Sequence, residues 1–346
     1  MEFNIAQRAT KKNLTAFAEE IKKISEQIGF KISARGWCYQ LEVEGLITKA
    51  EFDKVENFIN KCRKQGILPI DFTAEEEGRK FSGVEIPDTN TSIQHMKEWI
   101  EAAMINEEYY TPDWWVGEEY YIQMVVEKID LKTLFEPVCK KYHIPIATSK
   151  GWSSMLQRAI YAKRFLEAEE KGLRSVLLYC GDHDPDGLRI SDFIKKNIED
   201  LENIVWEDGC RGYNPDGLEI IRFGIDHDFI EKHNLSWTDN LITGKKRLPN
   251  DLADPRHPNH KMPYVQEYIE RFGARKCEAN AIVPMPVIAR QLVEETIIGY
   301  VGQDALIRFD KKTQEVKKEV DDFREKTGLQ ASLQQALDLI ERGRKK

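Results

Sequence analysis

Residues Ser175 to Ile190 read SVLLYCGDHDPDGLRI, and this stretch decides the fold. The apolar run Val176 to Cys180 is short and ends at Gly181, the pattern of a buried strand in an α/β sheet. Pro185 lacks a backbone donor and Gly181 and Gly187 tolerate unusual angles, so Gly181 to Gly187 reads as a turn, with helix from Leu188 onward. Asp182, Asp184 and Asp186 therefore crowd the carboxyl end of a buried strand, where open α/β sheets place their ligands. Two like charges 4 Å apart cost about 4 kcal/mol at an effective dielectric near 20, so such a cluster recruits a proton or a cation. Oxygen-only donors point to magnesium. Asp-rich turns also arise simply because Asp caps helices and stabilises turns, and that reading stands beside the metal one.

Working outward, Tyr121 to Glu127 is an apolar strand ending in a carboxylate, and Leu131 to Tyr142 an amphipathic helix. Ile144 to Thr148 gives a second strand, followed by a polar turn, Ser149 to Ser154, and a helix from Met155 to Lys171. Alternating strand and helix predicts a parallel, doubly wound sheet whose right-handed crossovers bring Glu127 and the Asp182 and Asp184 turn to one edge. Lys150, in the loop after the middle strand, falls on the same edge and suits a phosphate. Leu218 to Phe223 reads as a further strand, and Cys277 to Val283 with a helix from Pro286 to Val301 completes this region.

Toward the N-terminus the pattern changes. Leu14, Phe17, Ile21, Ile24 and Ile28 repeat at helical spacing and Gly29 stops them. A second helix follows Ser33, and a third runs from Thr48 to Gly66 with Lys54, Asn57, Lys61, Arg63 and Lys64 on its outer face. A strand pair, Ile67 to Phe72 and Lys80 to Ile86, then gives the order of a winged helix-turn-helix, whose third helix enters the major groove. The same pattern fits a three-helix interaction module. Arg35 and Tyr39 share a face of the second helix, so the cation lowers the cost of a phenolate; Tyr39 reads equally as a half-buried core tyrosine with its hydroxyl at the surface.

The 346 residues suit two domains, and 41% hydrophobic with 32% charged residues describe a globular, cytosolic chain with neither a leader nor a membrane span expected. Net charge is −8, but residues 1–70 carry twelve Lys and Arg against nine Asp and Glu, and residues 241–276 eight against four. Such segregation keeps nucleic acid open as a partner. Six cysteines without C-x-x-C spacing suggest neither zinc nor disulfides. Tyr109, Tyr110, Trp114 and Trp115 could stack bases, though a role in joining two domains is favoured. The polar stretch 237–264 reads as a DNA-contacting loop or a disordered insert, its His257 and His260 solvated, and residues 304–346 as a charged helical arm.

The strand-terminal Glu127 in VVEK, the turn TSKGWSS and GDHDPDGLRI resemble the Toprim domain of topoisomerases and primases. Preceded by a winged helix with an R-x-x-x-Y element, the arrangement is similar to the A subunit of topoisomerase VI, the meiotic double-strand-break protein and bacterial and phage relatives. The resemblance implies a winged-helix domain at 1–86, a connecting segment at 87–120, a Toprim domain at 121–303 and the arm beyond it. It implies magnesium-dependent cleavage of double-stranded DNA in a nucleoid-associated homodimer, with Tyr39 of one subunit as nucleophile at the metal site of the other, Arg35 and Lys150 assisting, and Glu127, Asp182 and Asp184 holding Mg2+. Asp186 ranks as an outer residue, and Glu278 in KCEAN stays outside the ligand set. No ATPase signature occurs in these residues, so an ATPase partner would be a separate subunit. Alternatives are a Toprim hydrolase or nuclease that uses water instead of Tyr39, and a DNA-binding subunit whose site is idle.

Overall fold

The computed structural model describes Ile5 and residues 9–74, 91–149, 155–207, 209–243 and 249–344. Lys150 and the expected strand Lys80 to Ile86 lie outside them. Helices α1 (Lys11–Ile28), α2 (Ala34–Val43), α3 (Phe52–Lys64) and α4 (Ser92–Met104) precede the first of the described strands. Then come β1 (Tyr120–Val126), α5 (Ile129–Lys141), β2 (Ile146–Thr148), α6 (Met155–Glu170), β3 (Arg174–Cys180), α7 (Ile190–Glu199) and β4 (Glu219–Arg222). Helices α8 (His227–Lys232), α9 (Pro263–Phe272), α10 (Pro286–Val301), α11 (Ala305–Thr327) and α12 (Leu329–Arg344) follow.

The chain divides into two compact units, residues 1–78 with 119–300 and residues 79–118 with 301–346. In the first, the described strands form a parallel four-stranded sheet in the order β2-β1-β3-β4. The molecule is thus mixed α/β. Ile122, Met124, Val125, Val126, Val176, Leu177 and Leu178 are fully buried, as a strand covered on both faces requires. Each such side chain contributes roughly 1.5–3 kcal/mol of burial. Register pairs Val126 with Cys180, so β1 and β3 end side by side.

The helical bundle of this unit follows its sequence signals closely. Thr10 caps α1 by accepting from the Asn13 N–H, Leu14, Phe17, Ile21 and Ile24 are buried, and Gly29 closes the helix in the left-handed conformation. Ser33 caps α2, and Thr48 forms a capping box with Glu51 ahead of α3. Lys54, Asn57, Lys61 and Lys64 are exposed, whereas Arg63 is half-buried and donates to the Ile70 carbonyl at 2.8 Å. The strand expected at Ile67 to Phe72 is instead a run of turns. Pro69 has no ladder donor, and its carbonyl accepts from the Phe72 N–H at 3.1 Å.

The disordered reading of 237–264 and the solvated reading of its two histidines are corrected here. The described part of 237–264 is folded: Leu241, Leu252, Val265 and Tyr268 make a small core, and Ile242 bridges Asp251. His257 is not solvated; it is 3% exposed, and its Nδ1 accepts from the Asn259 N–H. His260 turns its Nδ1 to the Leu252 carbonyl at 2.8 Å.

In the second unit the charged C-terminal stretch is two helices, because Gly328 adopts the left-handed conformation between α11 and α12. Helix α12 packs on α4, where Lys97 meets Glu341 at 3.0 Å. Trp114 is buried against Phe309 inside this unit, while Tyr109 and Tyr110 are exposed.

Candidate active site at the carboxyl edge of the sheet

Parallel pairing sets the site. The Glu127 N–H continues the ladder to the Cys180 carbonyl at 2.9 Å, and Glu127 Oε2 accepts the Asp182 N–H at 2.8 Å. Lys128 Nζ lies 2.9 Å from Glu127 Oε1 and 3.0 Å from Asp182 Oδ2, bridging the two carboxylates. Asp182 Oδ1 accepts the Ala279 N–H at 2.7 Å. Asp184 closes the turn by accepting the Gly187 N–H at 2.6 Å. Position 187 needs a glycine: a Cβ there would stand 2.2 Å from the Asp182 carbonyl oxygen. Asp186 points elsewhere and accepts from the Tyr264 hydroxyl at 3.0 Å.

The turn is supported from beneath. Arg222 Nη2 donates to the carbonyls of Asp182 at 3.2 Å and Ile225 at 3.1 Å. His183, 1% exposed, sets Nδ1 2.9 Å from the Tyr268 hydroxyl and packs edge-on against Phe272 and Trp237. Burial, with the Arg222 charge, lowers its pKa to about 4, so it is a neutral structural residue at pH 7.

Burial pushes the Asp182 carboxyl upward, and the neighbouring Glu127 charge adds to the push. Burial also opposes ionisation of Glu127, but the Lys128 charge and the Asp182 N–H outweigh it and hold Glu127 below its usual range. Asp184 is raised by burial. One ammonium thus serves Glu127 and Asp182, while Asp184 is engaged by the Gly187 N–H. Among the described residues no three His, Cys, Asp or Glu side chains are drawn together as a ready metal cage, and Lys128 fills the cation position between Glu127 and Asp182.

The helical bundle reaches the same edge through Tyr39. Its ring packs edge-on against Phe52 at 5.0 Å, and its hydroxyl donates to Glu278 Oε2 at 2.5 Å. The residue is 1% exposed. Burial first, and then the Glu278 charge, push the phenol far above its usual value, and the opposing pull of Arg35 is weaker. Arg35 lies 3.9 Å from Glu278 and 3.7 Å from Glu56, and its guanidinium is 6.0 Å from the centre of the Tyr39 ring. Lys49 anchors the opposite side by donating to the Trp237 carbonyl at 2.9 Å and Thr238 Oγ1 at 2.8 Å.

Residues 278–280 tie these parts together. Glu278 holds Tyr39, the Ala279 N–H holds Asp182, and Asn280 Nδ2 donates to Asp130 Oδ2 at 2.9 Å. Buried Asp130 also accepts from the N–H and hydroxyl of Ser33, the α2 cap, and Gly36 passes so close that a Cβ would stand 2.9 Å from Asp130 Oδ2.

Of the residues singled out from the sequence, Glu127, Asp182 and Asp184 share the edge, and Tyr39 and Arg35 join it through Glu278. Sequence reading missed Lys128, Asp130 and the full importance of Glu278. Lys128 directly follows a strand-terminal carboxylate in VVEK and Glu278 heads the EAN triplet, but neither signal says which distant group it meets. Comparisons with protein-family models, with curated proteins and with solved structures returned no match.

Proposed function

We propose that this chain cleaves double-stranded DNA by magnesium-dependent transesterification with Tyr39 as nucleophile, in the manner of a type IIB topoisomerase A subunit. The observation that carries the reading is the link from the Tyr39 hydroxyl through Glu278 and Ala279 to Asp182, which ties a candidate nucleophile to an acidic sheet edge, although the resemblance itself pairs the tyrosine of one subunit with the acidic site of the other. The likeness of VVEK and GDHDPDGLRI to Toprim motifs supports it, with the α1–α3 bundle then serving as a winged-helix-type DNA-binding module.

On this reading the bond from Tyr39 Oη to phosphorus forms as the bond from phosphorus to a deoxyribose oxygen breaks. The phenol proton leaves to solvent, and the departing alkoxide takes a proton from water. Glu127, Asp182 and Asp184 would hold magnesium, which offsets charge on the phosphate in the transition state. Lys54, Lys61 and Lys64 on α3 would meet backbone phosphates. Cutting both strands calls for two copies of the chain, and strand passage would need a separate ATPase partner.

The test is supercoiled plasmid incubated with protein and magnesium, analysed with and without protease. Linear DNA that carries protein until digestion, and none from Tyr39→Phe or from Asp182→Asn with Asp184→Asn, is the expected result. Cleavage that leaves free ends, with Tyr39→Phe fully active, would replace it by a second reading in which the acidic edge activates water. The burial of Tyr39 favours that second reading.

A further inference from the structure

Helix α4 has no buried residue over its thirteen positions, and among the described side chains of α12 only Leu337 is buried. Helices of this length are marginal in water alone and depend on packing an apolar stripe. Lys97 meets Glu341 near the end of α12, while Arg324, just ahead of α12, donates to the Ala103 carbonyl at the end of α4. The two helices therefore run antiparallel. Half-buried Ile100 and Met104 on α4, with Leu333, Leu337 and Ile340 on α12, mark the seam between them.

At about 3.6 residues per turn, Met96, Trp99 and Ala103 form a row beside the α4 seam, and Ser332, Leu339 and Gly343 a row beside the α12 seam. Antiparallel pairing of two right-handed helices puts both rows on the same side. The ion pairs of Lys97 with Glu101 and Glu341 mark the other side. Trp99 is 72% exposed, Leu339 62% and Met96 57%, and neither row holds a charge in a chain with 32% charged residues. Among the described residues of this unit, only Trp114, Val301, Ala305, Arg324 and Leu337 are buried. So thin a core leaves the apolar side of the pair to be covered from outside.

The face fits its own image. Large Met96, Trp99 and Leu339 stand beside small Ala103, Ser332 and Gly343, so the protrusions of one copy find gaps in the other. An uncharged face meets itself without like-charge repulsion, whereas an acidic or basic partner would leave its charges unpaired there. Helix α4 is about 20 Å long and the pair about 20 Å wide, a face of roughly 400 Å2, the size that marks an interaction surface. Two antiparallel pairs related by a two-fold axis complete a four-helix bundle. We propose that the α4–α12 face is a contact between two copies of this chain, closed on a two-fold axis with Trp99 as its anchor. The contact goes beyond the reading of Tyr39 and does not rest on it.

Sedimentation velocity of the full chain without DNA, over about 1 to 100 μM, tests it; that range suits an interface at the small end of the specific class. The wild type should pass from monomer to dimer with rising concentration and go no further, because a two-fold contact closes. Trp99→Lys and Leu339→Lys should each raise the dissociation constant by roughly thirtyfold or more, the scale of losing a hot spot. Ile307→Lys, at a residue 73% exposed on α11, should leave it within about twofold. Circular dichroism checks that helix content is kept; should either face variant lose it, Met96→Gln is read instead. A wild type that stays monomeric to the top of that range overturns the contact and leaves the face to another part of the chain or to an unrelated partner. A dimer indifferent to the face variants, or weakened equally by Ile307→Lys, overturns it as well.

Discussion

A methyl group at position 187 would lie 2.2 Å from the backbone oxygen of Asp182, and backbone cannot swing away as a side chain can. Gly187→Ala should cost about 1–3 kcal/mol through overpacking and distort the turn that carries Asp184; urea melts measure the loss. Asp130 makes a second residue-scale case. Burial raises its pKa despite the Ser33 and Asn280 donors, so the folded state holds its proton more tightly than the unfolded chain, whose carboxyl titrates near 3.9. Its contribution therefore falls as pH rises through and above about 4. Thermal melts of Asp130→Asn should show that part of the pH dependence removed. Asp130→Ala should instead lose roughly 1–3 kcal/mol for each donor left unpaired.

Among the elements, the end of β1 leads into Lys128, which sits between Glu127 and Asp182. Lys128→Met should lower the melting temperature, and added magnesium should raise that temperature more in the variant than in the wild type, since one cation can stand in for the other. Equal magnesium responses would argue against a cation site at this edge. Helix α3 presents Lys54, Lys61 and Lys64 to solvent, away from its buried Val55, Phe58, Ile59 and Cys62. Replacing the three lysines with glutamine should leave stability within about 0.5 kcal/mol. If all three meet phosphates, the log–log salt dependence of DNA affinity should become shallower by about 2.7, at roughly 0.9 per contact.

The whole molecule consists of two units, each assembled from two separated stretches of chain. In the second unit Arg324 meets Glu107 at 2.8 Å, both nearly buried, and also donates to the Ala103 carbonyl and Asn106 Oδ1. Removing one partner of a buried pair strands the other charge and costs about 3–5 kcal/mol. Calorimetry of Arg324→Ala should therefore show destabilisation of the transition belonging to this unit, with the transition of the sheet-bearing unit retained.

Local chemistry made the order of elements legible. Ser33 and Thr48 announce two helix starts, Gly29 ends the first helix, and the apolar runs ending at Glu127 and Gly181 mark two strands whose acids must meet if the strands are parallel neighbours. Those signals reside within a few residues of where they act. What depended on partners far along the chain was hidden. Tyr39 and Glu278 are 239 positions apart, and Asp182 and Ala279 are 97 apart. No periodicity encodes such meetings. By itself the sequence determined the helices of the bundle, the parallel sheet and the gathering of acids at its edge. Only tertiary packing decided that Lys128 sits between Glu127 and Asp182, that Leu241 and Leu252 join Val265 and Tyr268 in a small core, and that Tyr39 is held by Glu278, because burial and hydrogen-bond pairing belong to the folded surroundings of a residue.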